Sequence, residues 1–529
     1  MTARTLRLLA ALSGIVAAVI VLGVAEIAAL FTGNAGSPLF AVGSLVIDLA
    51  PPGAKEVMVA LFGTGDKAAL LILLAVIIVV VSGLAGILEL RRDPFGVVIF
   101  GVASLIALIA VLTRSGAGGL DGVPTIVGAI VGIIAFRILI RRLTAWNTAA
   151  ERRTRVAEKG RVPDRVVMDT PVERRSFLRL AAVAGGIAFV AGAGAKIVNS
   201  TASVATEVRK KITLPAAATP AAALPSGASL DVKGITPIVT SNATFYRIDT
   251  ALQVPAIDSG SWKLKVTGMV ENPIEISFAE LLKKPLEEYY ATLTCVSNDV
   301  GGDLIGNALW LGWPIRDLLA QAVPKSGADM VLSTSSDGFT AGTPLSVLQD
   351  TSTNALLAVG MNGVPLPVEH GFPVRMVVPG LYGYVSATKW VVELKVTTFA
   401  ADQGYWTPRG WSAKGPAKLE SRIDTPAAGS TISSGSGTVP IAGVAWCQHV
   451  GVSKVEVQID NGSWQTATLA DSISADTWRQ WVYRWKPSRG QHRIQVRSTN
   501  ANGERQTQTH VQPAPNGAEG WHSITVNVS

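Results

Sequence analysis

The chain has 529 residues, of which 48% are hydrophobic and only 16% are charged. Soluble globular proteins carry about 25% charged residues, so we expect part of this chain to lie in lipid. A disordered or fibrous protein is excluded, and the length predicts two or three domains.

The net charge of +8 is concentrated in one segment. Twelve basic and five acidic residues lie between Arg137 and Arg179, which accounts for +7 of the total. The remainder is close to neutral, which argues against nucleic-acid binding. The chain has two cysteines, Cys295 and Cys447. This number excludes a Cys-rich zinc or iron–sulfur framework and a Cys-x-x-Cys-His haem attachment.

The N-terminal part predicts an all-α transmembrane bundle at residues 1–143. Four stretches are long and apolar enough to cross about 30 Å of hydrocarbon as helices. These stretches are residues 8–30, 68–88, 95–113 and 122–140. A shorter apolar run at 39–50 is expected to be interfacial or part of an outer loop. Basic residues in the short loops predict that both ends of the bundle, and a basic loop at 144–176, face the cytoplasm.

Residues 174–179 read Arg-Arg-Ser-Phe-Leu-Arg and precede a weakly apolar run at 180–195. This pattern resembles a twin-arginine export signal, read by the Tat export machinery. The alternative is a basic stop beside a last helix. We favour the export interpretation for 174–198, with a fifth transmembrane helix that is retained unless cleavage occurs near 193–195. The part that follows is then extracytoplasmic, on a multi-pass protein of the plasma membrane.

The predicted spans carry few groups able to do chemistry. All five histidines lie after residue 200, which excludes a haem held by paired imidazoles in the bilayer. The spans also lack a central chain of acidic and basic residues, which disfavours a transporter. We therefore interpret the bundle as an anchor in the lipid bilayer.

Beyond the bundle, a Pro/Ala-rich stretch at 199–230 predicts a semi-extended linker. Residues 231–425 predict a central α+β unit of short strands, with short helices at 278–284 and 314–322. After a break near Thr425-Pro426, residues 426–529 alternate with a period of two. The pair Asn461-Gly462 predicts a tight hairpin turn. The size and pattern predict an all-β, immunoglobulin-like sandwich.

Two features of the central unit are candidates for chemistry. Cys295 ends an apolar run, although a lone cysteine is more often a buried hydrophobe or half of a disulfide. The segment 369–380, followed by Lys389-Trp390, places a histidine, an arginine and a lysine among glycines. This suits an anionic, phosphate-bearing ligand, and the alternative is a strand–turn–strand with ordinary surface charges.

Several ordered blocks across residues 240–529 resemble the sulfite oxidase family of molybdopterin enzymes. The matching blocks are, in chain order, Phe245-Tyr246-Arg247, Cys295 with Asn298, residues 307–314, the run 370–375, Pro379-Gly380, Lys389-Trp390 and the closing Trp521-His522. The resemblance implies that the central unit is a sulfite-oxidase-type molybdopterin domain. It also implies that the last unit is similar to the family's dimerisation domain, so a homodimer through this domain is an expectation.

The resemblance further implies a mononuclear molybdenum held by one pterin, with the Cys295 thiolate as its protein ligand. A soft thiolate suits a metal already bound by sulfur. Catalytic roles fall on Cys295, Arg247 and Tyr405. The residues expected to bind the pterin or its phosphate are Tyr246, Arg247, Asp249, Asn298, Asp337, His370, Arg375, Ser386 and Lys389. Arg375 and Lys389 are the best candidates for the phosphate.

The chain departs from the family pattern at three places. Sulfite-oxidising members have an arginine pair where Asp299-Val300 stand, and an acid there should repel a dianion. The family's active-site tyrosine is matched by Tyr405 only after a shift of two positions. Many relatives have histidine at the position of Asp249.

These observations predict a membrane-anchored, extracytoplasmic oxidoreductase that transfers an oxygen atom and two electrons. Its partners are a small-molecule oxo donor or acceptor and, because no internal haem site is evident, a separate electron carrier. The alternative is a cofactor-free surface binding protein with an immunoglobulin-like tip.

Overall fold

The computed structural model describes residues 2–32, 37–51, 65–114, 117–158, 207–252, 257–433 and 437–529, with a few isolated positions between them. The chain divides into two compact units. The first is Met1–Thr201 with Thr250–Gln253, and the second is Ala202–Asp249 with Val254–Ser529. Most of the predicted twin-arginine segment and most of the predicted fifth helix lie outside the described residues.

The first unit is helical. Its helices are α1 (Ala3–Thr32), α2 (Pro38–Leu49), α3 (Asp66–Arg91), α4 (Phe95–Leu112) and α5 (Val123–Glu158). In the part of the chain that the structure describes, four of them are long and apolar enough to cross a membrane, and α2 is too short. The apolar run expected to be interfacial or part of a loop is thus a helix, which begins at Pro38, where the missing N–H costs nothing.

Small residues let α1 approach α3 closely. A Cβ added to Gly14 would lie 1.9 Å from the carbonyl oxygen of Ser82, and one added to Gly86 would lie 1.9 Å from that of Ala10. Backbones that touch without intervening side chains are typical of helix pairs in membranes, where dispersion contacts hold the helices together.

The second unit begins its regular structure with two sheets. The elements are β1 (Lys263–Gly268), β2 (Ile274–Ser277), α6 (Phe278–Leu281), β3 (Glu287–Thr294), β4 (Ile305–Pro314), α7 (Ile315–Ala322), β5 (Met330–Ser335), β6 (Thr340–Pro344), α8 (Leu345–Gln349), β7 (Leu356–Met361), β8 (Val364–Pro365), β9 (Arg375–Val377) and β10 (Val391–Thr397). One sheet has the order β2-β1-β10-β5-β6, and the other has the order β3-β4-β7-β8, with β9 on β7. Both helices α6 and α7 start where the sequence predicts, to within one residue.

Two further sheets form the C-terminal sandwich. Its strands are β11 (Glu420–Thr425), β12 (Thr431–Ile432), β13 (Val439–Trp446), β14 (Val452–Ile459), β15 (Gln465–Thr466), β16 (Thr468–Leu469), β17 (Arg479–Trp485), β18 (Gly490–Asn500) and β19 (His522–Val528). The sheet orders are β11-β13-β17-β16 and β12-β19-β18-β14-β15. The buried core between them includes Trp481, Ile494 and Val526. This arrangement confirms the predicted fold class.

Three details differ from the sequence-based expectations. The sandwich already includes β11, because this strand pairs with β13, so the sheet begins at Glu420 and not after Thr425. The predicted hairpin turn is shifted by one residue, since Asp460 and Asn461 have the positive φ angles that a type I′ turn needs.

The Pro/Ala-rich linker is the third difference, because its described part is docked on the protein. Thr219 forms a parallel bridge with Glu287 on β3, and the Leu230 N–H donates to the Gln480 side chain at 2.7 Å. Extended backbone has unpaired N–H and C=O groups, and neighbouring strands satisfy some of them here.

Candidate active site

Strand β3 delivers Cys295 to the start of a tight loop that leads to β4. The Cys295 N–H donates to the Leu304 carbonyl at 2.9 Å, and the Asn298 N–H donates to the Cys295 carbonyl at 3.0 Å. The Asn298 side-chain oxygen accepts the Leu304 N–H at 2.8 Å. Asn298 therefore closes the loop that holds the cysteine, which is buried.

Two tyrosines lie near the thiol, the partly buried Tyr246 and the buried Tyr382. Burial raises the pKa of Tyr246, and the nearby Cys295 raises it further. Burial likewise raises the pKa of Tyr382, and the charges of Glu420 and Cys295 raise it further. The thiol also accepts the Ser297 N–H at 3.4 Å. Beside it, the hydroxyl of Thr294 is buried and has no hydrogen-bond partner among the described residues.

Arg375, at the start of β9, is a buried cation. Its guanidinium donates to the carbonyls of His370, at 3.1 Å, and Met376, at 3.3 Å, and lies 5.1 Å from the centre of the Trp310 ring. Burial lowers the pKa of Arg375 to about 10, so it stays charged at neutral pH. Within the described ranges no carboxylate pairs with it, and a buried charge of this kind requires an anion.

Lys389 and Arg247 meet at one carboxylate. The Oδ2 of Asp249 lies 2.8 Å from Lys389 Nζ and 2.9 Å from Arg247 Nε. Burial lowers the pKa of Lys389 to about 8, although Asp249 opposes the shift. The carboxylate thus holds two cationic side chains beside Arg375, whose charge also contributes to lowering the pKa of Lys389.

His370 is neutral at this site. Burial lowers its pKa to about 4, and Arg375 and Lys389 contribute to the shift. Its Nε2 lies 2.9 Å from the Asn242 carbonyl, an acceptor, so this nitrogen carries the proton and Nδ1 is left as an acceptor. The Phe245 ring packs edge-on against His370, with centroids 5.6 Å apart.

Three further predicted site residues, Asp337, Ser386 and Tyr405, have the following local contacts. Asp337 lies in the β5–β6 hairpin and accepts the Phe339 N–H at 3.3 Å. The buried Ser386 hydroxyl donates to the Tyr382 carbonyl at 2.9 Å. The Tyr405 ring packs on Phe339 and under the Arg409 guanidinium, which lies 3.7 Å from the ring centre.

Tyr405 also neighbours an aromatic wall beside the cysteine loop. Its ring contacts Trp406 at 5.1 Å, and Trp406 packs with Val296, Tyr382 and Trp411 in one cluster. The contacts therefore bring together Tyr246, Arg247, Asp249, Cys295, His370, Arg375 and Lys389. They place Asp337 in the β5–β6 hairpin, and Tyr405, from the segment after β10, packs against that hairpin at Phe339.

Sequence reasoning missed two groups at this site. Tyr382 lies between the segment 369–380 and Lys389 in the sequence, but it is not among the predicted site residues. Glu420 is buried, its Oε1 has no hydrogen-bond partner among the described residues, and burial together with Glu519 raises its pKa well above the usual range. No local pattern could identify Glu420, because its environment comes from segments distant in sequence.

No disulfide joins the two cysteines, both of which lie in the described part of the chain. This removes the disulfide alternative for Cys295. Cys447 follows β13 in the sandwich core, where burial raises the pKa of its thiol.

Comparison with known proteins decides the family. Residues 251–406 match the family described as "Oxidoreductase molybdopterin binding domain", and residues 420–526 match "Bacterial Ig domain". The "Uncharacterized oxidoreductase YuiH" of Bacillus subtilis is 35% identical over 159 residues, which are 30% of this chain and 76% of that protein. The chain belongs to the family of molybdopterin-binding oxidoreductases.

The sulfite oxidases are relatives within this family. Mitochondrial sulfite oxidase of Rattus norvegicus is 30% identical over 291 residues, covering 46% of this chain and 52% of that protein. The chain thus spans about half the length of the sulfite oxidases it matches. The solved structure of the sulfane dehydrogenase SoxCD from Paracoccus pantotrophus is 22% identical with a TM-score of 0.49, covering 56% of this chain and 85% of that one.

The buried groups fit a molybdopterin. Arg375 and the pair Lys389 and Arg247 supply cations suited to a phosphate. The Cys295 thiol supplies a soft donor suited to molybdenum. The hydroxyls of Thr294, Ser335 and Ser336 are buried without a hydrogen-bond partner in the described ranges, so each can bond to an incoming polar group.

Proposed function

We propose that this protein is a membrane-anchored, extracytoplasmic molybdopterin oxidoreductase that transfers an oxygen atom and two electrons to or from a small molecule. The observation that carries the proposal is the position of Cys295. Its thiol directly follows β3 and lies near Tyr246, and Tyr246 in turn lies within the electrostatic reach of Arg375, which no carboxylate of the described residues pairs with.

Cys295 would hold the molybdenum, and Arg375, Lys389 and Arg247 would hold the phosphate of the pterin. When bound, the molybdenum supplies the oxygen-atom transfer and the two-electron change. The loop closed by Asn298 fixes the thiol in position, and coordination keeps such a thiol deprotonated. Asp249 orients Lys389 and Arg247 and does not itself bind a phosphate, because two anions repel each other.

Protons must move when oxygen atoms are exchanged with water, and three groups can assist. The Nδ1 of neutral His370 can accept a hydrogen bond from the pterin. Burial raises the pKa of Glu420 well above its usual range, which favours the protonated carboxyl close to Tyr382. Tyr382 keeps its phenolic proton beside the thiol, where it can donate a hydrogen bond.

The charges near the thiol support a substrate without net negative charge. Asp299 lies four residues after Cys295, in the exposed part of the loop, and both Asp299 and Glu519 contribute to raising the pKa of Glu420. The half-buried Trp406 and Tyr384 add apolar surface near Val296. We therefore favour a neutral oxo donor or acceptor over the sulfite dianion.

The electron carrier and the membrane placement belong to the same proposal. Four long apolar helices support anchoring in the bilayer, and the export motif at 174–179 supports an extracytoplasmic catalytic domain. Since the sequence provides no evident haem site, a separate carrier must exchange electrons with the protein. A homodimer through the sandwich is part of the proposal.

Metal and pterin analysis of the purified full-length chain tests the proposal, with Cys295→Ala and Cys447→Ala as a matched pair. We expect roughly one molybdenum and one pterin per wild-type chain. Cys295→Ala should lose turnover, whereas Cys447→Ala should retain the molybdenum and the pterin. Wild-type protein without molybdenum, expressed in a host that makes the cofactor, would support the alternative of a cofactor-free binding protein.

A further inference from the structure

His449 of the C-terminal sandwich forms hydrogen bonds through both ring nitrogens. Its Nδ1 lies 2.8 Å from Asp476 Oδ1, and its Nε2 lies 2.9 Å from the carbonyl oxygen of Pro379. A carboxylate and a carbonyl can only accept hydrogen bonds, so both nitrogens must carry a proton. The geometry therefore requires the charged imidazolium form.

Asp476 connects this histidine to the strand that carries the cysteine. Its Oδ1 also accepts the His449 N–H at 2.9 Å, and its Oδ2 accepts the Tyr289 hydroxyl at 2.7 Å. The Asp476 carbonyl accepts the Thr292 N–H at 3.0 Å. Tyr289 and Thr292 both lie on β3, which ends one residue before Cys295.

Pro379 is the first residue of segment 379–386, which lies at the site and includes Tyr382 and Ser386. The imidazole packs directly on Gly380, since a Cβ there would lie 2.2 Å from His449 Nε2, and the φ of Gly380 is +80°. Further along, a Cβ on Gly383 would lie 3.8 Å from the Thr294 carbonyl. Segment 379–386 is thus packed next to the cysteine strand.

We propose that His449 and Asp476 form a positioning pair through which the C-terminal domain holds segment 379–386 against the cysteine strand, so that the pair controls retention of the pterin cofactor in a pH-dependent manner. The claim about cofactor retention rests on the proposed function, whereas the claim that the pair holds segment 379–386 in place does not.

The direction of the pH dependence follows from the charge of His449. The charged groups that act on the ring are Asp476 and Asp350, and the Tyr289 hydroxyl donates to Asp476. The hydrogen bond to Asp476, with the charges of Asp476 and Asp350, raises the pKa of His449. The stabilisation is fully present below the pKa of an unfolded histidine and is lost as the pH rises through the raised value. Neutral His449 can keep only one of its two donated bonds.

The experiment compares the wild type with His449→Gln as full-length protein in detergent. The readouts are hydrogen-exchange protection of segment 379–386 and the molybdenum and pterin retained per chain after gel filtration, each at pH 6 and pH 9. We expect protection of the wild-type segment to fall roughly tenfold or more between the two pH values, as for loss of a charged hydrogen bond. In His449→Gln, protection of this segment should be low at both pH values.

His492→Gln is the matched control. Both ring nitrogens of His492 also face acceptors, Asp460 Oδ2 and the Ser488 carbonyl, but these contacts lie within the sandwich. This variant should keep the wild-type pH response of segment 379–386 even if its thermal unfolding temperature falls.

A wild-type pH response in His449→Gln would overturn the proposal. If that variant does not fold, Gly380→Ala disturbs the same contact from the catalytic side and should give the same low, pH-independent protection. Wild-type protein without molybdenum would refute the proposed function alone, because the exchange measurement would still decide whether the pair holds the segment.

Discussion

Lys389 Nζ lies 2.8 Å from the Oδ2 of Asp249, and this carboxylate is nearly inaccessible to solvent, with 4% of its side chain exposed. The contact places a buried anion where the proposed function needs cations for a phosphate. In the cofactor-free chain, Asp249 is the anion that pairs with both Lys389 and Arg247. With a phosphate bound, its charge is partly redundant.

Replacing Asp249 with Asn should therefore destabilise the cofactor-free chain more than the loaded chain. Removing one partner of a buried ion pair costs about 3–5 kcal/mol, because the other charge is left uncompensated. A bound phosphate would supply the missing anion. Thermal unfolding of protein produced with and without pterin synthesis measures the difference.

The matched control for this prediction is Glu275→Gln. Glu275 pairs with Lys263 at the surface, where solvent screens the two charges and the pair contributes little to stability. We expect a small effect that is equal with and without cofactor. An equal loss of stability for Asp249→Asn in both preparations would contradict the role given to Asp249.

Arg375→Met should leave the cofactor-free chain as stable as the wild type or more stable, while cofactor retention falls. The buried guanidinium has only carbonyl and aromatic contacts in the described part of the chain, so its desolvation is not compensated by an anion. Losing hydrogen bonds to a charged phosphate, about 1.5–3 kcal/mol, should weaken retention at least roughly tenfold. Molybdenum and pterin per chain after gel filtration give the retention.

Arg497→Met is the control, and it should affect stability and cofactor retention in the opposite way. Arg497 Nε lies 2.9 Å from Glu456 in the sandwich, so this variant should lower the free energy of unfolding and leave retention unchanged. If Arg375→Met retained the cofactor as the wild type does, the phosphate would have to be bound elsewhere.

The sequence predicts the parts of this protein that depend on local pattern. Long apolar runs identify the four long helices, and alternation identifies the sandwich. The blocks around Cys295 and His370 identify the family. The remaining features depend on contacts between distant segments. Three examples are the docked linker, the strand Glu420–Thr425 and the contact of His449 with Pro379. Each depends on residues that are far apart in the sequence, and the local sequence around them is typical of an ordinary loop or edge strand.

Asp299 gives a prediction about substrate charge. Asp299→Arg should raise kcat/KM for sulfite relative to a neutral sulfoxide, because an exposed carboxylate near the substrate repels a dianion and an arginine attracts it. A change of two charge units near the surface corresponds to roughly a tenfold shift in this ratio. Steady-state kinetics with both substrates and an artificial electron carrier measure it.

Glu271→Arg makes the same change of charge in the exposed turn between β1 and β2. It should leave the ratio unchanged. A similar shift in both variants would indicate a general effect of net charge, and no shift in Asp299→Arg would place the substrate away from this loop.

The export motif gives the last prediction, because the side of the membrane follows from it. Arg174→Lys combined with Arg175→Lys keeps the charge of the segment but removes the arginine pair that the export receptor reads. We expect the second unit to stay on the cytoplasmic side, where external protease cannot cleave it in intact spheroplasts. Arg152→Lys with Arg153→Lys, a pair in the same basic stretch of the sequence without the Phe-Leu that follows Ser176, should leave export intact. If the second unit of the Arg174/Arg175 variant were cleaved from outside as in the wild type, the four long helices would have to set the orientation by their basic loops alone.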